Sequence, residues 1–151
     1  MSRIAEVIVL ALDAHDVMEP LTRDDPARPW RGRFVPVHSQ WGPSFAHGWA
    51  TEFDRMRTRS GLLAHLESLP WPRPESVQVL IHDEEDDCFG LWMIHNGKLE
   101  EVALPHTRRF HDPAPQNRDF PPDPGYLWRT DQRHRLPQQT PEELRDDRPA
   151  W

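Results

Sequence analysis

Val77 to Leu104 reads VQVLIHDEEDDCFGLWMIHNGKLEEVAL. Three apolar runs lie in it: Val77 to His82, Cys88 to His95 and Lys98 to Leu104. Each has the length and the β-branched or aromatic content of a strand. Asn96-Gly97 separates the last two, and this dipeptide favours a type I′ turn because both central positions need positive φ. A two-residue loop fixes the pairing: His95 with Lys98, Ile94 with Leu99, Met93 with Glu100, Trp92 with Glu101, Leu91 with Val102. Phe89, Leu91 and Met93 then share one face of the middle strand, and Trp92 and Ile94 the other. Apolar on both faces, that strand is predicted to lie inside a sheet. The third, with Glu100 and Glu101, reads as an edge kept soluble by charge.

Upstream, Ile4 to Leu12 (IAEVIVLAL) is apolar at almost every position. The run predicts a strand buried on both faces, with a helix from Ser2 as the competing reading. Residues 14–23 have room for one or two helical turns. Arg33 to Val37 predicts a short strand, which Pro36 confines to an edge. His47 to Met56 alternates, with Trp49, Thr51 and Phe53 on one side and Glu52 and Asp54 on the other. Leu62, Leu63, Leu66 and Leu69 make one apolar stripe of a helix over Ser60 to Leu69. Ser60 is its expected cap, and Pro70 and Pro72 stop it. Trp71, between the prolines, is expected to fold back onto the core.

From Pro105 the character changes. Nine of the 17 prolines fall in the last 47 residues, with Phe110, Phe120, Tyr126, Leu127 and Trp128 as spaced anchors. The expected organisation is an α+β core over 1–104 and a Pro-rich extension over 105–151. The core is a mixed or antiparallel sheet of four to six strands with one main helix on a face. The extension wraps the core through its aromatics, and Thr140-Pro141-Glu142-Glu143 opens a short terminal helix over Pro141 to Asp147.

Net charge is −7, and residues 1–104 carry all of it, with 17 acidic and 10 basic side chains. A nucleic-acid binder needs a basic footprint, which this balance argues against. It suits a basic protein partner. The only cysteine, Cys88, allows no internal disulfide and fits a reducing cytosol. The opening apolar run is broken by Glu6 and lacks a small-residue cleavage pattern. No segment approaches the roughly 20 apolar residues that span a bilayer. These features predict a cytoplasmic protein.

The sharpest candidate site is Asp83-Glu84-Glu85-Asp86-Asp87. Five adjacent carboxylates repel one another by about 1 kcal/mol per pair at 4 Å even in water. An exposed loop tolerates that, and so does one that docks a basic partner. A calcium loop needs alternating ligands and a glycine, and neither is here. Trp30 and Trp41 lie in polar loops containing proline and glycine, where exposed indoles serve as interface anchors and buried ones pin the loop. His106-x4-His111 is too sparse for zinc without an HExxH or CxxC pattern. The acidic loop raises the Cys88 pKa, the wrong direction for a thiolate nucleophile. Ser44 lacks a G-x-S-x-G elbow, and no glycine-rich phosphate loop is present.

The sequence therefore predicts a non-enzymatic acidic binding domain with no cofactor, metal or catalytic residue assigned. Asp83, Glu84, Glu85, Asp86, Asp87, Trp30 and Trp41 are its expected contacts. One form is an inhibitor, such as a bacterial toxin immunity protein, whose loop plugs a basic active site. A small enzyme using His82, His95, His106 or His111 with nearby acids, and a structural or assembly component, are the competing readings.

Overall fold

The computed structural model describes residues 4–42, 47–54, 59–110 and 125–131. Strands form where the alternating and apolar runs lie: β1 (Ala5–Leu10), β2 (Val35–Pro36), β3 (Gly48–Phe53), β4 (Gln78–Asp83), β5 (Gly90–His95) and β6 (Lys98–Val102). They build one antiparallel six-stranded sheet in the order β2-β3-β1-β4-β5-β6. β7 (Thr107–Phe110) and β8 (Tyr126–Arg129) pair separately as a two-stranded antiparallel sheet. Among the described residues two short helices complete the α+β architecture, α1 (His15–Met18) and α2 (Leu62–Ser68). A 3-10 turn, Glu19–Thr22, continues α1.

The β5–β6 hairpin has the register its turn dictates, from Leu91 opposite Val102 to His95 opposite Lys98. Asn96 at φ 50° and Gly97 at φ 78° supply the two positive dihedrals of the turn. β5 is interior and β6 is an edge. β2 is the other edge, as Pro36 requires.

One face of the sheet carries the core. Val7, Val9, Trp49, Phe53, Val79, Ile81 and Trp92 are buried there with Met18, Leu21, Trp30, Phe34, Leu62, Leu63 and Leu66. Trp30 meets Phe34 and Phe53 edge-on, at centroid distances of 5.7 and 6.2 Å. Such pairs add about 0.5–1.5 kcal/mol each beyond the area they bury.

α2 begins differently from the sequence expectation. Gly61, at φ 82°, flanks its first turn, and no side chain caps it. A left-handed turn here suits glycine, and a Cβ would come within 3.1 Å of Pro29. Ser60 is therefore not the cap. The other end is as expected: Leu69 is extended before Pro70. Trp71 is buried, and its indole N–H donates to the Leu66 carbonyl at 2.7 Å, satisfying one group of the helix end.

β1 corrects a second expectation. Ala5, Val7 and Val9 are buried, but Glu6 and Ile8 are half-buried and Leu10 is exposed. The strand is interior to the sheet yet covered on one face only among the described residues. The terminal helix expected over Pro141 to Asp147, and Phe120, lie outside the described residues.

Candidate functional site

The uncovered face has a pattern that follows from register alone. Ile8 lies opposite Ala50 and Leu80, Ala50 opposite Val35, Leu80 opposite Leu91, and Leu91 opposite Val102. Val35, Ala50, Ile8, Leu80, Leu91 and Val102 thus form one apolar row crossing all six strands. At about 4.8 Å per strand the row is roughly 24 Å long. None of its members is buried, and Val35 is 54% exposed. Scattered surface hydrophobics need no explanation, but a contiguous patch marks an interaction site.

Toward one end of the strands the patch widens into a concavity of about 790 Å³ between Leu10, Leu12, Val37 and Leu80. Gly48 makes room for it: a Cβ there would meet Leu10 at 3.1 Å and Val37 at 3.6 Å. On the other side of the row the same face turns acidic. Glu6 lies directly opposite Glu52 on β3 and opposite His82 on β4. Like charges facing across strands are unfavourable by about 0.2–1 kcal/mol. His82 sits 3.0 Å from the Glu6 carboxylate through Nδ1, and its Nε2 is 3.2 Å from the Asp86 carbonyl. Phe89 stacks on its ring at 4.9 Å.

The five-carboxylate loop behaves differently from the sequence expectation. Asp83 and Asp86 are buried, and only Glu84, Glu85 and Asp87 are exposed. Asp83 pairs with Arg59 at 2.7 Å, and both side chains are 1% exposed. Asp86 accepts from the backbone N–H of Asp83 at 3.2 Å and of Leu127 at 2.5 Å, and lies 3.5 Å from Arg109. Glu84 accepts from Ile4 N–H at 2.5 Å, and Asp87 from Arg129 N–H at 3.2 Å. The mutual repulsion is thus relieved within the chain, by backbone donors and two buried guanidinium groups. Asp83 and Asp86 cannot meet a partner in this arrangement.

Instead, the loop clamps the β7–β8 hairpin to the sheet. Asp87 N–H donates to the Leu127 carbonyl at 2.8 Å, closing a reciprocal pair with the Asp86 contact. Arg109 on β7 forks onto Glu101 of β6 at 2.8–2.9 Å and lies 5.2 Å over Trp92. Phe110 and Leu127 are buried as a result. Burial pushes the Asp86 carboxyl up, only partly opposed by Arg109 and the two backbone donors. Burial, then Asp86, also raise the Cys88 thiol.

The two tryptophans part company. Trp41 is 84% exposed, two residues beyond Ser39 on the wall of the apolar concavity. Trp30 is fully buried. Its indole N–H finds an acceptor in His65 Nδ1 at 2.9 Å, so an aromatic in a polar loop becomes a core anchor. In this arrangement, contrary to the sequence expectation, it presents no surface to a partner. Of the remaining candidates, His82 lies in the sheet, while His95 is at the turn, 3.4 Å from Glu100. His111 and Ser44 lie outside the described residues. No group of three or more His, Cys, Asp or Glu among the described residues is placed to hold a metal ion.

Sequence reasoning did not find the apolar row. Its members come from six strands, and apart from Leu91 and Val102, which the hairpin pairs, only strand order and register make them neighbours. The signals were the pairing of Leu91 with Val102 that the Asn96-Gly97 turn fixes, and the apolar character of β1, broken at Glu6 alone, which fits a half-exposed strand as well as a buried one.

Comparison with family models, curated proteins and solved structures finds no match. Among the described residues no helix is long and apolar enough to cross a membrane.

Proposed function

We propose that this chain is a non-enzymatic protein-binding domain that docks a basic partner on the open face of its sheet. The observation that carries the reading is the apolar row from Val35 to Val102, bordered by Glu6 and Glu52. Protein interfaces combine an apolar centre with a polar, charged rim. The partner's complement is an apolar ridge flanked by Lys or Arg, which relieves the Glu6–Glu52 opposition. Trp41 and the exposed Glu84, Glu85 and Asp87 extend the contact, and the net charge of −7 steers a basic protein toward it. An inhibitor of the immunity type is the specific form this reading favours. Its contact surface is then the sheet face rather than the acidic loop alone.

The test compares wild type with a Val35→Asp/Val102→Asp double variant and a Glu6→Gln/Glu52→Gln variant. All four positions face outward, so folding is checked by melting and capture by affinity purification from the native lysate. The expected result is one basic protein, released by salt from wild type and absent with the aspartate variant. The glutamine variant should lose most of the salt dependence. A recovered set that is the same for wild type and both variants refutes the reading.

A further inference from the structure

The apolar row on the open face has a midpoint, between Ile8 of β1 and Leu80 of β4, with three strands on either side. A twofold axis laid in this face, parallel to the strands and through the midpoint, sets a second copy face to face on the first. It exchanges β1 with β4, β3 with β5 and β2 with β6. Row then meets row: Ile8 faces Leu80 of the second copy, Val35 faces its Val102, and Ala50 faces its Leu91.

The levels beside the row are complementary under the same axis. Gly48, Leu10, Gln78 and Met93 share one level, so Gly48 faces Met93 of the second copy. Gly48 is where a missing side chain opens the concavity between Leu10 and Val37. Methionine is the side chain best suited to fill an irregular apolar hollow. On the acidic side Glu6 faces His82 of the second copy, and Glu52 faces Phe89, which stacks on His82. Glu100, on the level of Met93, comes over Val37 at the rim. None of these three carboxylates lies over a carboxylate of the other copy. Other axes do worse. One along β1 puts Glu6 over Glu6, one between β3 and β1 puts Glu6 over Glu52, and one along the row presses Glu6 onto Leu10.

The area is also sufficient. Six strands at about 4.8 Å and six residues at about 3.4 Å make a face of roughly 24 by 20 Å. The two copies together bury about 1,000 Å², the lower bound for a specific interface. We propose that a second copy of this chain covers the open face, giving a twofold dimer. Its two six-stranded sheets pack as a sandwich, about 10 Å apart and near the aligned angle of about 30°. The dimer uses the face of the proposed docking reading but needs no basic partner. Such a partner competes with the second copy.

The test is sedimentation equilibrium on the purified full chain. Wild type should dimerise with a Kd of about 10 μM, in keeping with so small an interface. Each copy carries a net charge of −7, so added salt screens their repulsion. Raising salt from about 50 to about 500 mM should tighten the dimer several-fold, the opposite sign to the release of a basic partner. Val35→Asp and Val102→Lys, both at exposed positions, should each weaken self-association about tenfold or more, because a charge then lies over a valine. An equimolar mixture of the two variants should dimerise as wild type does, since the introduced carboxylate meets the introduced ammonium. The proposal is overturned by a wild type still monomeric at about 100 μM. Variants that dimerise as wild type does, or a mixture no better than its components, also overturn it. The partner reading fails separately, when capture from lysate is the same for wild type and the row variants.

Discussion

Asp86 accepts a hydrogen bond at 2.5 Å from the backbone N–H of Leu127, a residue 41 positions further along the chain. The contact ties the acidic loop to β8, and Arg109 on β7 approaches the same carboxylate. Replacing Asp86 with Ala leaves a buried N–H without an acceptor, at about 1–3 kcal/mol. Asn keeps an acceptor oxygen and should recover part of that loss. Hydrogen exchange reads it directly: amide protection at residues 126–129 should drop sharply in Asp86→Ala and less in Asp86→Asn. Equal protection in both would mean that the hairpin is held by Phe110 and Leu127 packing alone.

Arg59 and Asp83 form an ion pair with 1% exposure on each side. Removing one charge strands the other in the interior, at about 3–5 kcal/mol. Arg59→Met and Asp83→Leu should each lower stability by that order. The double variant should lie much nearer wild type, because neither charge is left without its counterpart. Urea melts of the four proteins give the coupling, and additive losses would show that the pair does not act as a unit.

Gly90 is needed for lack of a side chain rather than for its dihedrals. A Cβ at this position would fall 2.7 Å from the Trp92 ring and 2.8 Å from Arg109 Nη2. The guanidinium end can swing away, but the indole is 1% exposed and confined. Gly90→Ala should therefore cost about 1–3 kcal/mol through overpacking. It should also shift Trp92 fluorescence and loosen the Arg109–Glu101 fork. Unchanged thermal stability would show that β5 yields more easily than its packing implies.

The pH dependence of stability carries a signature of Asp86. Burial raises its folded-state pKa above the ordinary 3.8, so the folded chain holds that proton more tightly. Within the window between the two values the folded state binds more protons, and stability falls as pH rises through it. The contribution is complete below 3.8 and gone above the folded value. Subtracting the Asp86→Asn curve isolates it from other carboxylates. The difference, wild type minus variant, should decline as pH rises from about 4 toward neutrality. A difference that climbs over the same range would mean that Arg109 dominates burial.

The β5–β6 hairpin was legible in the chain because Asn96-Gly97 imposes its dihedrals locally, and every cross-strand pair follows from them. The apolar alternation of His47 to Met56 placed Trp49, Thr51 and Phe53 on the core side for the same reason: strand period is a local property. Pro36 likewise announced an edge, since a missing N–H is missing in any context. The α2 stripe was visible in its leucines, though its start belongs to Gly61, where a close approach to Pro29 and a positive φ decide the matter.

What the chain could not reveal is how charge and aromatic surface are spent once distant segments meet. Asp83 to Asp87 reads as a solvated run until Arg59, Arg109 and the backbone of Ile4, Leu127 and Arg129 converge on it. Each of those partners lies more than 20 residues along the chain from the carboxylate it meets, and no local periodicity encodes them. Trp30 sits among polar neighbours in sequence, and is buried because Phe34, Phe53 and His65 close over it. The apolar row on the open face needs the β2-β3-β1-β4-β5-β6 order, in which β1 is inserted between β3 and β4, so that neither of its neighbours in space is its neighbour in the chain. Local dihedral preference and side-chain period are properties of a few consecutive residues; electrostatic compensation and surface continuity belong to the assembled fold.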